Sequence, residues 1–183
     1  MSILSFPLYH ATSSLFLDSI KEYGLGGVDP VKNFRVIELL IKLEIIADKK
    51  ISNSTEWQYS KNIVSRFTLK NKMYEHGQVY LTPCLMQARS YALNIYGSEA
   101  FSETFKLIEL LDREKVEIPF VIIDEFKSFF SLRSVNCEPI IFRLHDLSKD
   151  YILCNEDGSQ DVDKTISLIE SKIKKYGFEK YDP

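Results

Sequence analysis

Three cysteines in 183 residues are too few, and odd in number, for a disulfide framework. Cys84, Cys137 and Cys154 lie far apart with no metal-like spacing, so the chain reads as one from a reducing compartment. No apolar run approaches the roughly 20 residues that a bilayer span needs. Met1 to Leu8 lacks a basic stretch followed by a long apolar one, so no signal peptide is expected. Glycine is scarce, at seven residues, and each is expected where the backbone needs unusual freedom. Charge of either sign is nearly balanced: 23 Lys and Arg against 26 Asp and Glu leave a net charge of −3. That excludes a general attraction to phosphate backbones or anionic lipid, but not a local basic patch. There is no internal repeat and no low-complexity tract. The expectation is a cytoplasmic protein without membrane association, with residues 1–183 forming a single domain.

What is present is ordinary for a globular chain: 45% hydrophobic and 27% charged residues, enough to bury a sizeable core. The 12 Phe and 10 Tyr suit a partly β core. Leu4 to Tyr9 reads as a strand, after which Thr12 or Ser13 can cap a helix. Leu15, Phe16, Ile20 and Tyr23 recur at helical spacing, and Gly24 is a natural stop. After the Gly26-Gly27 turn, Phe34 to Ala47 predicts a helix apolar enough to pack on two sides. A weaker helix runs through Trp57, Ile63, Val64 and Phe67, and Leu69 to His76, with Lys70 and Lys72, reads as a basic loop. Val79-Tyr80-Leu81 predicts a strand, and Met86 to Tyr96 a helix broken by Gly97. Phe101 to Leu111 is helix-like, with a strand at Thr104 to Leu110 as the alternative. Pro119 to Ile123 and Val135 to Leu144 read as strands, and Asp157 to Gln160 as a turn. Asp161 to Lys175 reads as an amphipathic helix. The pattern is α+β, with strands far apart in sequence.

Two stretches carry polar groups at strand ends. One is Tyr9-His10-Ala11-Thr12; the other is Val79-Tyr80-Leu81-Thr82, followed by Ala88 and Tyr91. They resemble the first two motifs of the diphtheria-toxin-type and poly(ADP-ribose)-polymerase-type ADP-ribosyltransferases, the H-Y-E class. The first matches a Y-H-G-[ST] strand end. The second matches a Y-[FL]-[AT] strand followed by a helix with a tyrosine, and Tyr91 stands 11 residues after Tyr80, the separation that family uses. Asn136-Cys137-Glu138-Pro139-Ile140-Ile141 resembles the third motif, a strand bearing glutamate. The matches fall in the family's order. The helical segment between the first two and the tail are not covered.

The resemblance implies a split antiparallel β-sheet core of ADP-ribosyltransferase type, with a helical segment between the first two motifs and a C-terminal helix. It implies NAD⁺ as co-substrate and no metal. His10 would bond the adenine-side ribose, and the Ala11 backbone would hold the nicotinamide carboxamide beside Thr12. Tyr80 and Tyr91 would shape the nicotinamide slot, and Glu138 would hold the nicotinamide-side ribose hydroxyl and support catalysis. These residue types suit the chemistry. Breaking the nicotinamide–ribose bond builds positive charge on the sugar, which a fixed carboxylate favours in the transition state. A cationic nicotinamide ring suits the electron-rich face of a tyrosine.

Departures from the family pattern are Ala11 for its glycine, Ala88 for a hydroxyl on the helix, and Pro139 directly after Glu138, which puts that strand at an edge or at its start. Glu125 is the alternative acidic residue. The implied activity is transfer of ADP-ribose to a macromolecular acceptor, protein, RNA or DNA. By analogy the setting is a bacterial or phage-defence toxin or effector, with an antitoxin or inhibitor protein as partner. The alternatives are an NAD⁺-dependent RNA 2′-phosphotransferase and a catalytically inactive NAD- or ADP-ribose-binding module. His76 and His145 read as structural.

Overall fold

The computed structural model describes residues 3–68, 79–152 and 161–176. The expected loop over 69–76, with Lys70, Lys72 and His76, lies outside them, as do Cys154 and the turn expected over 157–160. In chain order the elements are strand β1 (Leu8–Ser13) and helices α1 (Leu17–Tyr23), α2 (Pro30–Asn33), α3 (Val36–Lys50) and α4 (Thr55–Thr68). Helices α5 (Leu85–Ala92), α6 (Glu99–Arg113), α7 (Phe120–Glu125) and α8 (Lys127–Ser131) come next, then strand β2 (Pro139–Leu144) and helix α9 (Val162–Tyr176). The class is α+β and mainly helical, with one two-stranded antiparallel sheet among the described residues.

Several expected elements shift or change type. The first strand starts at Leu8 rather than Leu4 and continues through His10 and Thr12 to Ser13. Val79 to Leu81 forms no strand; a single bridge joins Thr82 to Tyr9. Pro119 to Ile123 is not a strand. Pro119 caps α7, since proline's fixed φ suits the helix entry, and the alternation a half-buried strand needs is absent. The strand expected from Val135 begins only at Pro139, the first-residue position that a residue without an N–H can take in a ladder. The alternative strand at Thr104 to Leu110 lies inside α6.

Two apolar cores form. The larger is helical: Val36, Leu39, Leu40 and Leu43 of α3 pack against Trp57 and Val64 of α4 and against Phe101, Phe105, Ile108 and Leu111 of α6. The phenylalanines gather here rather than in a β core. Phe101 meets Phe16 edge-on at 5.5 Å and Phe34 at 5.7 Å, and Phe105 stacks on Phe129 at 4.6 Å. Trp57 is fully buried, and its indole N–H donates to Asp48 at 2.9 Å. The α3 helix packs on two sides, against α4 and α6, while Ile41 and Ile45 stay exposed. The smaller core sets Leu4, Phe6 and Leu8 against Ile166, Ile169 and Ile173 of α9.

β1 joins the two: Leu8 belongs to the smaller core, and Phe16, three residues past the strand's end, belongs to the larger. Gly97 fixes where the end of β1 lies. It holds φ +69°, and a Cβ there would stand 2.9 Å from the Ser13 backbone nitrogen and 3.0 Å from the Phe16 ring. Gly97→Ala should therefore destabilise the fold by about 1–3 kcal/mol, from left-handed strain plus the clash. Urea denaturation checks this; an unchanged midpoint would contradict it.

Candidate functional site

β1 is hydrogen-bonded along both edges at its start. Tyr9 exchanges both backbone bonds with Thr82, its N–H donating at 2.8 Å and its carbonyl accepting at 3.0 Å. Tyr9 is therefore the non-bonded partner of Arg143 in the β1–β2 register, where His10 faces Phe142 and Thr12 faces Ile140. Ser14 continues the pairing past the strand. Its N–H donates to the Glu138 carbonyl at 2.8 Å, and its hydroxyl accepts the Glu138 N–H at 2.9 Å. The three stretches singled out in the sequence are thus neighbours in space, with β1 in the middle.

His10 is half-buried, and its Nδ1 lies 3.0 Å from the Tyr80 carbonyl. A carbonyl only accepts, so Nδ1 carries the proton and Nε2 is left as the bare acceptor of a neutral ring. Burial lowers the His10 pKa, and the bond to Tyr80 opposes that shift without cancelling it. Tyr80 itself is 54% exposed.

Helix α5 packs across β1 and β2 through Ala88 and Ala92, one turn apart on its buried stripe. This explains the alanine at position 88. Ala88 is fully buried at a close helix–sheet contact, where a larger side chain would hold the helix off. Gln87 accepts a hydrogen bond from the Thr82 hydroxyl at 2.7 Å, and that hydroxyl accepts the Cys84 N–H at 3.1 Å. Tyr91 lies one turn beyond Gln87 on the same flank and is 56% exposed. Because Thr82 sits at the Tyr9 end of β1 and Gly97 at the Ser13 end, α5 runs alongside the strand and Tyr91 falls between the two ends.

Glu138 is exposed and stands just before β2, level with Ser14. It is not on the strand, contrary to expectation. His10 and Ser14 are four residues apart, so Glu138 lies roughly 13 Å along the ladder from His10 at the usual strand rise. Glu125, the alternative acid, is engaged elsewhere. Lys42 and then Arg35 donate to it at 3.0 Å each and hold its carboxyl below the usual value. Both partners lie beside or on α3, which packs on α4 and α6 rather than on the sheet. His145 is exposed beyond β2. Among the described residues, no group of three or more His, Cys, Asp or Glu is arranged to hold a metal ion.

Three residues at this site were not singled out as site residues in the sequence: Ser14, Gln87 and Asn94. Ser14 and Gln87 pin Glu138 and Thr82, and the Asn94 N–H donates to the Tyr91 carbonyl at 3.0 Å. Gln87 has a sequence signal in hindsight, since it stands four residues before Tyr91. Ser14 has none, because its partner is 124 residues away. Comparison with protein-family models, curated proteins and solved structures returned no match.

The lowered His10 pKa means the unfolded chain binds the proton more readily than the folded one. Stability should therefore fall as pH drops through the unfolded value of about 6.5 toward the folded pKa. His10→Asn should flatten part of that fall when urea midpoints are compared between pH 7 and pH 5; identical profiles would contradict the assignment. His76 and His145 cancel in the comparison.

Proposed function

We propose that the chain is an NAD⁺-dependent mono-ADP-ribosyltransferase acting on a macromolecular acceptor. The observation that supports it best is the convergence of the three stretches on β1, with the neutral His10 ring tied to the Tyr80 carbonyl. The bonds that join the other two stretches to the first span 70 and 124 residues, and nothing in the local patterns requires these stretches to meet. In this reading His10 Nε2 accepts a hydroxyl of the adenine-side ribose. The exposed rings of Tyr80 and Tyr91 flank the nicotinamide, and the Glu138 carboxylate takes the nicotinamide-side ribose hydroxyl. Two riboses joined through a diphosphate need two separated points of attachment, and the ladder offers them at His10 and Glu138.

The reaction breaks the bond between the ribose C1′ and the nicotinamide nitrogen. Its electron pair leaves with neutral nicotinamide, while positive charge builds on the sugar. Glu138 favours that charge. An oxygen or nitrogen of the acceptor then bonds to C1′ and releases its proton to solvent.

The exposed position of Glu138, off the strand, favours a second reading: a module that binds NAD⁺ or ADP-ribose without turnover. Incubation with labelled NAD⁺ and cell extract separates the two. Transferase activity predicts nicotinamide release and label on a macromolecule, with His10→Ala and Glu138→Gln each lowering the rate by at least about tenfold. Calorimetric binding without nicotinamide release would establish the second reading instead. Neither binding nor release would overturn both.

A further inference from the structure

We infer that the cleft between α4 and α6 is a binding site for one nucleotide of a single-stranded nucleic acid, the acceptor presented to the neighbouring site. The cleft encloses about 470 Å³, within the usual range for small-molecule pockets. It lies outside the β1 ladder; the backbone carbonyl of Asn94, part of its wall, accepts the Gly97 N–H at 2.7 Å, and Gly97 abuts Ser13 at the end of β1. The Ser102 hydroxyl donates to the Asn94 side-chain oxygen, so the Asn94 NH₂ group is left as a donor.

The remaining lining suits a nucleotide. Tyr59 is 76% exposed, a free aromatic face on which a base can stack. Arg66 makes no ion pair among the described residues, and its planar fork matches a phosphate. The Glu99 carboxylate likewise has no ion pair among them and can accept an exocyclic amine, as carboxylates do when they read cytosine. Glu103 is tied to Lys106 at 2.6 Å, so that pair adds no net charge. Among the described residues, one cation and one anion of the lining lack ion-pair partners, which suits a single nucleotide with its base edge. That is too little positive charge for a long stretch of phosphate backbone.

The target class rests on the transferase reading, but the binding can be measured without it. Fluorescence anisotropy with short labelled single-stranded RNA and DNA of the same sequence, without NAD⁺, gives the direct test. Wild-type protein should bind at least one of them, the comparison showing whether the sugar matters. Its affinity should depend weakly on salt, with a logarithmic slope near −0.7 for one phosphate. Tyr59→Ala should weaken binding by about tenfold or more, and Arg66→Gln should flatten the salt slope. Both positions are exposed, and circular dichroism confirms that the variants fold. The inference is overturned if neither strand binds, if both variants bind like wild type, or if the slope reports many phosphates. It is also overturned if label from NAD⁺ appears on protein alone. Nicotinamide release by the wild-type chain is a separate readout, so failure here and failure of the transferase reading are told apart.

Discussion

The structure depends on the hydrogen bonding of one six-residue strand. Tyr9 spends its backbone groups on Thr82, while its neighbours Leu8, His10 and Thr12 face β2. A strand with partners on both sides cannot slide, because a one-residue slip would swap every side chain to the other face. The side chains of His10 and Thr12 are therefore presented in fixed positions, and the segment carrying Tyr80 is delivered to the same place. With one two-stranded sheet among the described residues, that single bridge has consequences that a longer ladder would share among many bonds.

The two apolar cores hold this strand from opposite ends. Leu8 is packed with α9 and Phe16 with the helical core, so the polar stretch from His10 to Ser13 lies between two buried clusters. Such a stretch can carry a half-buried His10 and the buried Thr12 and Ser13 because hydrogen bonds satisfy polar groups. Among the described residues no buried side-chain nitrogen or oxygen lacks a partner. The helices also supply the walls. Packing α5 on the sheet through two alanines brings Tyr91 alongside β1, and the turn after it leads into the α4–α6 cleft.

Helices were the more legible elements because their cues are local. The apolar repeat in Asp161 to Lys175 reappears as α9, and Gly24, with φ +82°, ends α1 where the pattern stops. Short apolar runs are less legible because each has two solutions. Phe120 to Ile123 has strand-like composition, but Phe120 and Val121 are exposed and the run winds as a helix between Pro119 and Phe126. Val79 to Leu81 has strand composition too, yet makes only the Thr82 bridge, since β pairing needs a partner that the run itself does not specify.

For the site, the sequence by itself determined which chemical groups are available: an imidazole after Tyr9, phenols at Tyr80 and Tyr91, and carboxylates at Glu125 and Glu138. It also determined that helices would outnumber strands, because helical periodicity is written in neighbouring residues. Only the tertiary structure decided which groups meet. It tied His10 to the Tyr80 carbonyl, drew Glu125 away to Arg35 and Lys42, and left Glu138 at the far end of the ladder beside Ser14. The physical reason is that backbone pairing and ion pairing act between residues brought close by burial of distant apolar surfaces, and no local pattern encodes that closeness.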